Sequence, residues 1–244
     1  MSSETNMTRR EAIMKIGTAA AGISLGISGL KAADALLPSD ADMLDGGDSV
    51  AIKNRRKMKV LAINGSARKG GNTADMLNLV LGELEKEGCE TEHVQLAGHI
   101  IAPCKACFAC AGKGNCVFGG DIFQELYVKM SQADAIILGS PAYSADVSST
   151  LKAVIERASV VSDTNPGMFR HKIGAAVAVA RRAGAMNVID TLNHFFLNKE
   201  MYMAGSIYWN IAYGRLPGEA MKDEEGVSNM KNLGQNIAWL LGRI

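Results

Sequence analysis

From Met58 onward, apolar runs of strand length alternate with segments whose apolar residues recur every three or four positions. Lys59 to Asn64 is a short apolar run closed by Gly65, and it predicts a buried strand. Residues 73–87 predict a helix with Met76, Leu77, Val80, Leu81 and Leu84 on one face and Gly88 as its stop. A second strand is predicted at 89–96, a helix at about 121–130 and a third strand at 133–139. Residues 149–160 predict a helix with Leu151, Val154, Ile155 and Ala158 inward. A fourth strand at 172–180, a helix at 185–199 and a fifth strand at 202–209 follow. The closing helix, 227–241, turns Val227, Met230, Ile237 and Leu241 inward. Continuous apolar strands separated by amphipathic helices predict an α/β fold, with a parallel sheet covered on both faces.

The first 57 residues have a different pattern. Residues 8–15 are basic, Ile16 to Leu30 carry no charge, and Lys31-Ala32-Ala33-Asp34-Ala35 supplies a small-residue cleavage site. The uncharged stretch is 15 residues of mostly Gly, Ala, Ser and Ile, short of the roughly 20 strongly apolar residues that span a bilayer. Arg9-Arg10, with Thr8 before and Lys15 after, resembles a twin-arginine export signal over residues 1–35. That resemblance implies delivery to the periplasm or the outer face of a bacterial membrane. It also implies passage in a folded state, so a cofactor inserted beforehand is retained. Residues 36–57 show no apolar periodicity and read as a linker: four aspartates, Gly46-Gly47, then Lys53, Arg55, Arg56 and Lys57.

Composition narrows the function. Hydrophobic residues make up 48% of the 244, enough for a sizeable core. With 26 basic and 25 acidic residues and 5% aromatics, the chain offers neither the positive field nor the stacking platform that nucleic acid requires.

Four of the five cysteines fall within thirteen residues, Cys104, Cys107, Cys110 and Cys116, spaced C-x2-C-x2-C-x5-C. So short a loop can aim four thiolates at one point, as an iron–sulfur cluster requires. Gly112 and Gly114 let it turn back. Zinc is a second reading, although zinc sites more often use two separated pairs. Free thiols, or a disulfide in an exported protein, are a third. Cys89 reads as a small buried hydrophobe.

Asn64 to Thr73, between the first strand and the first helix, is small, polar and glycine-rich. In an α/β sheet that position aims backbone N–H groups and a helix N-terminus at one spot, where a phosphate binds. Ser66, Asn72 and Thr73 add side-chain donors. The nucleotide P-loop is excluded because Gly70 is followed by Gly71-Asn72 rather than Lys-Ser/Thr, and the dinucleotide pattern because Ala67 replaces its second glycine. A terminal monophosphate, as in FMN, remains.

These stretches together resemble the flavodoxin-like NADPH-dependent FMN reductase superfamily and, within it, the iron–sulfur flavoprotein branch. Gly65 to Thr73 looks like the family's phosphate loop, the cysteine quartet like the branch's cluster motif, and Gly139 to Ser148 like its second flavin loop. Arg181-Arg182-Ala183-Gly184 stands where the third belongs, and Asn193 to Phe196 and Tyr208-Trp209-Asn210 continue the similarity. The resemblance spans about residues 58–244. It implies a three-layer sandwich with a five-stranded parallel sheet in the order 2-1-3-4-5. It implies FMN held by Ser66, Arg68, Asn72, Thr73, Pro141, Ala142, Tyr143, Ser144, Arg181, Arg182 and Gly184. It implies a [4Fe–4S] cluster on Cys104, Cys107, Cys110 and Cys116.

Ligands of open α/β sheets bind beyond the carboxyl ends of the strands, where the loops after strands one, three, four and five all end. The expected roles are phosphate at the first loop, backbone donors and Tyr143 at the flavin ring, and Arg181 or Arg182 favouring the anionic reduced form by charge. The chain then moves electrons, from NAD(P)H or a ferredoxin-like donor to a small-molecule or protein acceptor, and works as a homodimer or homotetramer by resemblance. His93, His99, His171 and His194 form no catalytic array. The competing readings are a cluster-free FMN or quinone reductase and a non-catalytic flavodoxin-like binding module.

Overall fold

The computed structural model describes residues 56–244, so the segment expected to be an export signal, and nearly all of the expected linker, lie outside the described residues. The elements are β1 (Lys59–Asn64), α1 (Asn72–Lys86), β2 (Glu90–Gln95), α2 (Phe123–Gln132), β3 (Ala135–Pro141), α3 (Ser149–Asp163), β4 (Ile173–Ala180), α4 (Ala185–Asn198), β5 (Tyr202–Met203), β6 (Ile211–Tyr213), a 3-10 turn (Glu219–Lys222) and α5 (Glu224–Leu241). Arg56 already belongs to this unit. Its guanidinium donates to both Asp134 oxygens at 2.8 and 2.6 Å, and the Lys59 backbone N–H donates to the same carboxylate at 2.8 Å.

The strands run parallel in the order β2-β1-β3-β4-β5, with β6 also paired to β4. The expected flavodoxin-like order is therefore observed. Side chains alternate across the sheet and build two cores. On one face Leu61, Ile63, Ile136 and Leu138 pack against α2, α3 and α4 through Phe123, Tyr127, Leu151, Val154 and Phe196. On the other, Val60, Ala62, Ile137 and Val177 pack against α1 and α5 through Met76, Val80, Leu233 and Ile237. Central β4 is buried at every position, whereas β2 at the edge is polar at every position but Val94 and carries Glu90 and Glu92, which discourages pairing with another sheet. Among the described residues no helix is long and apolar enough to cross a membrane.

The fifth sheet position departs from expectation. Residues 202–209 do not run as one strand. β5 pairs with Ile173 and Gly174, and β6 with Ala178 to Ala180. Between them Gly205 interrupts the strand, and Ser206 Oγ donates to the Tyr208 carbonyl at 2.6 Å in a local turn. Trp209 and Asn210 consequently precede β6, and Gly214-Arg215 take the place beyond its carboxyl end.

Candidate functional site

One cavity at the carboxyl edge of the sheet, of about 160 Å³, is lined by Ser66, Arg68, Gly71, Asn72, Thr73, Pro141, Ala142, Tyr143, Val179, Arg181, Gly214 and Arg215. Helix α1 opens into it with no side-chain cap on its N-terminus, leaving N–H groups and the positive end of the helix dipole facing the space. Three arginines and no carboxylate line the walls. That donor set suits a phosphate dianion, so FMN fits here by its phosphate end. The cavity is smaller than the ~300–1,000 Å³ that encloses a whole drug-sized ligand. It could therefore enclose the phosphate end but not a whole flavin, and Tyr143 on its wall is half-exposed.

The loop is fixed by its own polar groups. Asn64 Oδ1 accepts from the Ser66 N–H at 2.9 Å, and Ser66 Oγ accepts from the Arg68 N–H at 3.1 Å. Asn72, expected to donate to the phosphate, lines the cavity. Its amide also donates to the Leu216 carbonyl at 2.9 Å and accepts from the Ala220 N–H at 3.2 Å, joining the first loop to the one after β6. Arg68 reinforces that joint by donating to the Arg215 carbonyl at 3.0 Å. Gly214 is required at the crossing, because a β-carbon there would lie 2.5 Å from the Ala220 nitrogen and 2.8 Å from Asn72 Nδ2. Glu219 accepts from the Arg215 and Leu216 N–H groups at 2.7 and 2.8 Å. Those backbone donors hold its carboxyl below the ordinary range.

Ser144, Arg182 and Gly184 do not line this cavity. Ser144 and Ala145 form a tight hairpin turn, both with positive φ (49° and 61°). Tyr143 and Asp146 exchange backbone hydrogen bonds at 2.9 and 3.0 Å across it. Gly184 supports the turn from behind: its φ is +86°, and a β-carbon there would meet the Ala145 Cα at 2.7 Å. Arg182 is exposed. Gly214 and Arg215 were missed in the sequence because no strand was expected just before them.

The four cysteines line a second cavity of about 120 Å³, with Ala102, Phe118, Asp121 and Arg157 among its walls. Cys110 is buried, Cys104 and Cys116 are half-buried and Cys107 is exposed; among the described residues no cysteine is bridged. Ala106 and Phe108 hold positive φ values of 49° and 53°, an uncommon conformation for non-glycine residues that clusters at functional sites. The loop is tied to the end of α3 and the start of α2. Cys110 Sγ meets Thr164 Oγ1 at 3.3 Å, Asn165 Oδ1 accepts from the Gly114 N–H at 2.9 Å, and Gln124 Nε2 donates to the Cys116 carbonyl at 2.7 Å. The Ala106 N–H donates to Cys104 Sγ at 3.4 Å. Among the described residues no three His, Cys, Asp or Glu side chains stand close enough to hold one ion.

None of the histidines lines either cavity. His93 Nδ1 meets Asn78 Oδ1 at 2.8 Å, and burial pushes its imidazole below the ordinary value. His171 stacks on Tyr202.

A parallel sheet of this order, with an uncapped helix and three arginines facing one cavity at its carboxyl edge, is the architecture of a flavodoxin-like protein that binds a flavin phosphate. Residues 58–215 match the family described as NADPH-dependent FMN reductase, and the chain belongs to that family, on its iron–sulfur flavoprotein side. It is an FMN-dependent oxidoreductase. It is 36% identical over 188 residues to an iron–sulfur flavoprotein of Methanocaldococcus jannaschii, covering 74% of this chain and 96% of that one. It is 33% identical over 163 residues to an iron–sulfur flavoprotein of Methanosarcina thermophila, covering 64% and 84%. Among solved structures it superposes on RosB with a bound riboflavin-phosphate intermediate, at a TM-score of 0.61 and 20% identity, covering 75% of this chain and 78% of that one. That likeness concerns the fold.

Proposed function

We propose that this protein is an iron–sulfur flavoprotein that relays electrons between a reduced nicotinamide or ferredoxin-like donor and a small-molecule or protein acceptor, with FMN at the sheet edge and a [4Fe–4S] cluster in the cysteine loop. The observation that carries the cluster is the enclosure of all four cysteines around one small cavity. The four thiols that line it would supply the four thiolate ligands such a cluster takes. When bound, FMN supplies one- and two-electron exchange and the cluster one-electron exchange.

The chain supplies binding, orientation and charge. The N-terminus of α1, with Ser66, Thr73, Arg68, Arg181 and Arg215, holds the phosphate. Pro141 and Ala142 bring backbone to the polar edge of the flavin, and Tyr143 is the aromatic side chain available to cover a ring. Arg181, exposed at the rim, favours negative charge there. Outer-sphere electron transfer needs no acid–base residue, which suits a cavity lined without histidine or carboxylate.

Two further parts of the reading rest on sequence and surface. Arg9-Arg10 route the folded chain out of the cytoplasm, to the periplasm or the outer membrane face. Exposed Ile207, Tyr208, Trp209 and Tyr213 make a surface suited to a homodimer or homotetramer, which sedimentation checks.

The test is anaerobic purification with flavin, iron and sulfide analysis. FMN bands with a broad brown shoulder, iron and sulfide together, and loss of both in Cys104→Ala with FMN retained are expected. FMN with no iron would leave the cluster-free reductase. A colourless protein that takes up no FMN would reduce it to a binding module.

A further inference from the structure

Arg157 lies on α3, beneath the cysteine cavity, and is 3% exposed. Its Nη1 donates to Asp121 Oδ2 at 2.5 Å and to the Ala102 carbonyl at 3.5 Å, and its Nη2 donates to the Phe118 carbonyl at 2.8 Å. Its guanidinium lies over the Phe123 ring, 4.0 Å from the centroid. Ala102 and Phe118 stand just outside the two ends of the cysteine run. Asp121 adds to the clasp by accepting from the Ala102 N–H at 3.2 Å and the Phe123 N–H at 3.0 Å. One planar fork therefore gathers the entry of the loop, its exit and the helix beyond, and both charged side chains line the cavity that the four cysteines line.

A buried ion pair adds little net stability by itself, because apolar residues of similar volume often replace one without loss. A fork that reaches two carbonyls and a carboxylate at once is a geometric device that lysine cannot copy. The guanidinium is also the one basic side chain nine-tenths buried among those lining the cavity, where thiolates must be held deprotonated.

We propose that Arg157 is the positioning residue of the cysteine loop: it clasps residues 102 and 118 together and sets its charge beside the iron–sulfur cluster. The clasp is read from hydrogen bonds alone; its redox consequence rests on the cluster reading above. Positive charge favours the reduced, more negative cluster, so losing it lowers the midpoint potential.

The experiment uses the full chain with Arg157→Lys, Arg157→Met and the double variant Arg157→Met/Asp121→Leu, which replaces the pair by apolar volume. FMN content and melting temperature report folding independently. Arg157→Met is expected to lower the cluster potential by about 59 mV or more, a tenfold shift of a one-electron couple. Arg157→Lys should recover most of that shift while still losing iron on chelation faster than the wild type. In iron-stripped protein, alkylation of buried Cys110 by iodoacetamide should speed up about tenfold in the double variant, the signature of a loop that opens locally. A double variant with wild-type FMN content, iron retention and Cys110 labelling would overturn the clasp, and an unmoved potential in Arg157→Met would overturn the charge effect. If the wild type carries no iron, the cluster reading fails by itself, and Cys110 labelling decides the clasp.

Discussion

Thr73 and Tyr127 both bury a hydroxyl, and their surroundings give the two opposite values. Thr73 is 1% exposed at the mouth of α1 and lines the arginine-rich cavity. We propose that its hydroxyl donates to the flavin phosphate, and a hydrogen bond to a charged group contributes roughly 1.5–3 kcal/mol. Thr73→Val keeps the volume and removes the donor, so FMN affinity should fall by about tenfold or more, read by fluorescence titration of flavin-stripped protein. An unchanged affinity would place the phosphate elsewhere. Tyr127 is fully buried between Phe123 and Phe169, and its hydroxyl has no hydrogen-bond partner. Burial pushes its phenol well above the ordinary value. An unsatisfied buried polar group costs about 1–3 kcal/mol. Tyr127→Phe should therefore raise stability by about 1 kcal/mol, or roughly 2–4 °C in melting temperature.

Helix α3 is the element that relates the two candidate sites, which share no lining residue. At its start Ser148 caps the helix by accepting from the Leu151 N–H, and the Ser148 N–H donates to Ser140 Oγ at 3.0 Å, next to Pro141. Further along, Arg157 holds both ends of the cysteine loop, and Thr164 at the far end meets Cys110. The Asp121 partner gives this arrangement a pH signature. Burial opposes ionisation, but the Phe123 and Ala102 N–H groups and Arg157 outweigh it and hold the carboxyl below the ordinary range. A depressed folded value means that the stabilisation is complete above the unfolded value of about 3.9 and is lost as pH falls through the folded one. Asp121→Asn should lower the melting temperature near neutral pH and flatten its decline below about pH 4. A variant with the same acid slope as the wild type would remove Asp121 from the clasp.

Much of this element-level picture was legible from local pattern. The strand at Lys59–Asn64, the five long helices and the thiol quartet follow from periodicity and spacing between near neighbours, whereas the sheet order came from the family resemblance. Arg157 and Asn165 were not legible as supports of the cysteine loop, because each acts across tens of residues on a partner that only folding brings near. The joint between Asn72 and Leu216 spans 144 positions. Arg215 was hidden for another reason: one apolar run at 202–209 suggested a single strand, and the Gly205 break placed its second half, and the loop after it, further on.

At the scale of the whole molecule, the same four thiols have different fates depending on when they meet an oxidising compartment. In the folded domain they line one cavity, with Cys110 buried and the loop tied down at both ends. In an unfolded chain they are exposed, close in sequence and free to pair as disulfides outside the cytoplasm. Cluster chemistry in an exported protein therefore requires folding and assembly first, which is what we propose Arg9-Arg10 provide. Replacing both by lysine should leave assembled, iron-bearing protein in the cytoplasmic fraction. Replacing residues 1–35 by a leader that threads unfolded chains should export the domain with FMN sites and disulfides but little iron. Cell fractionation with iron and thiol counts per chain separates these outcomes. If the threaded protein arrives with its full iron, assembly can follow export, and the order of events proposed here is wrong.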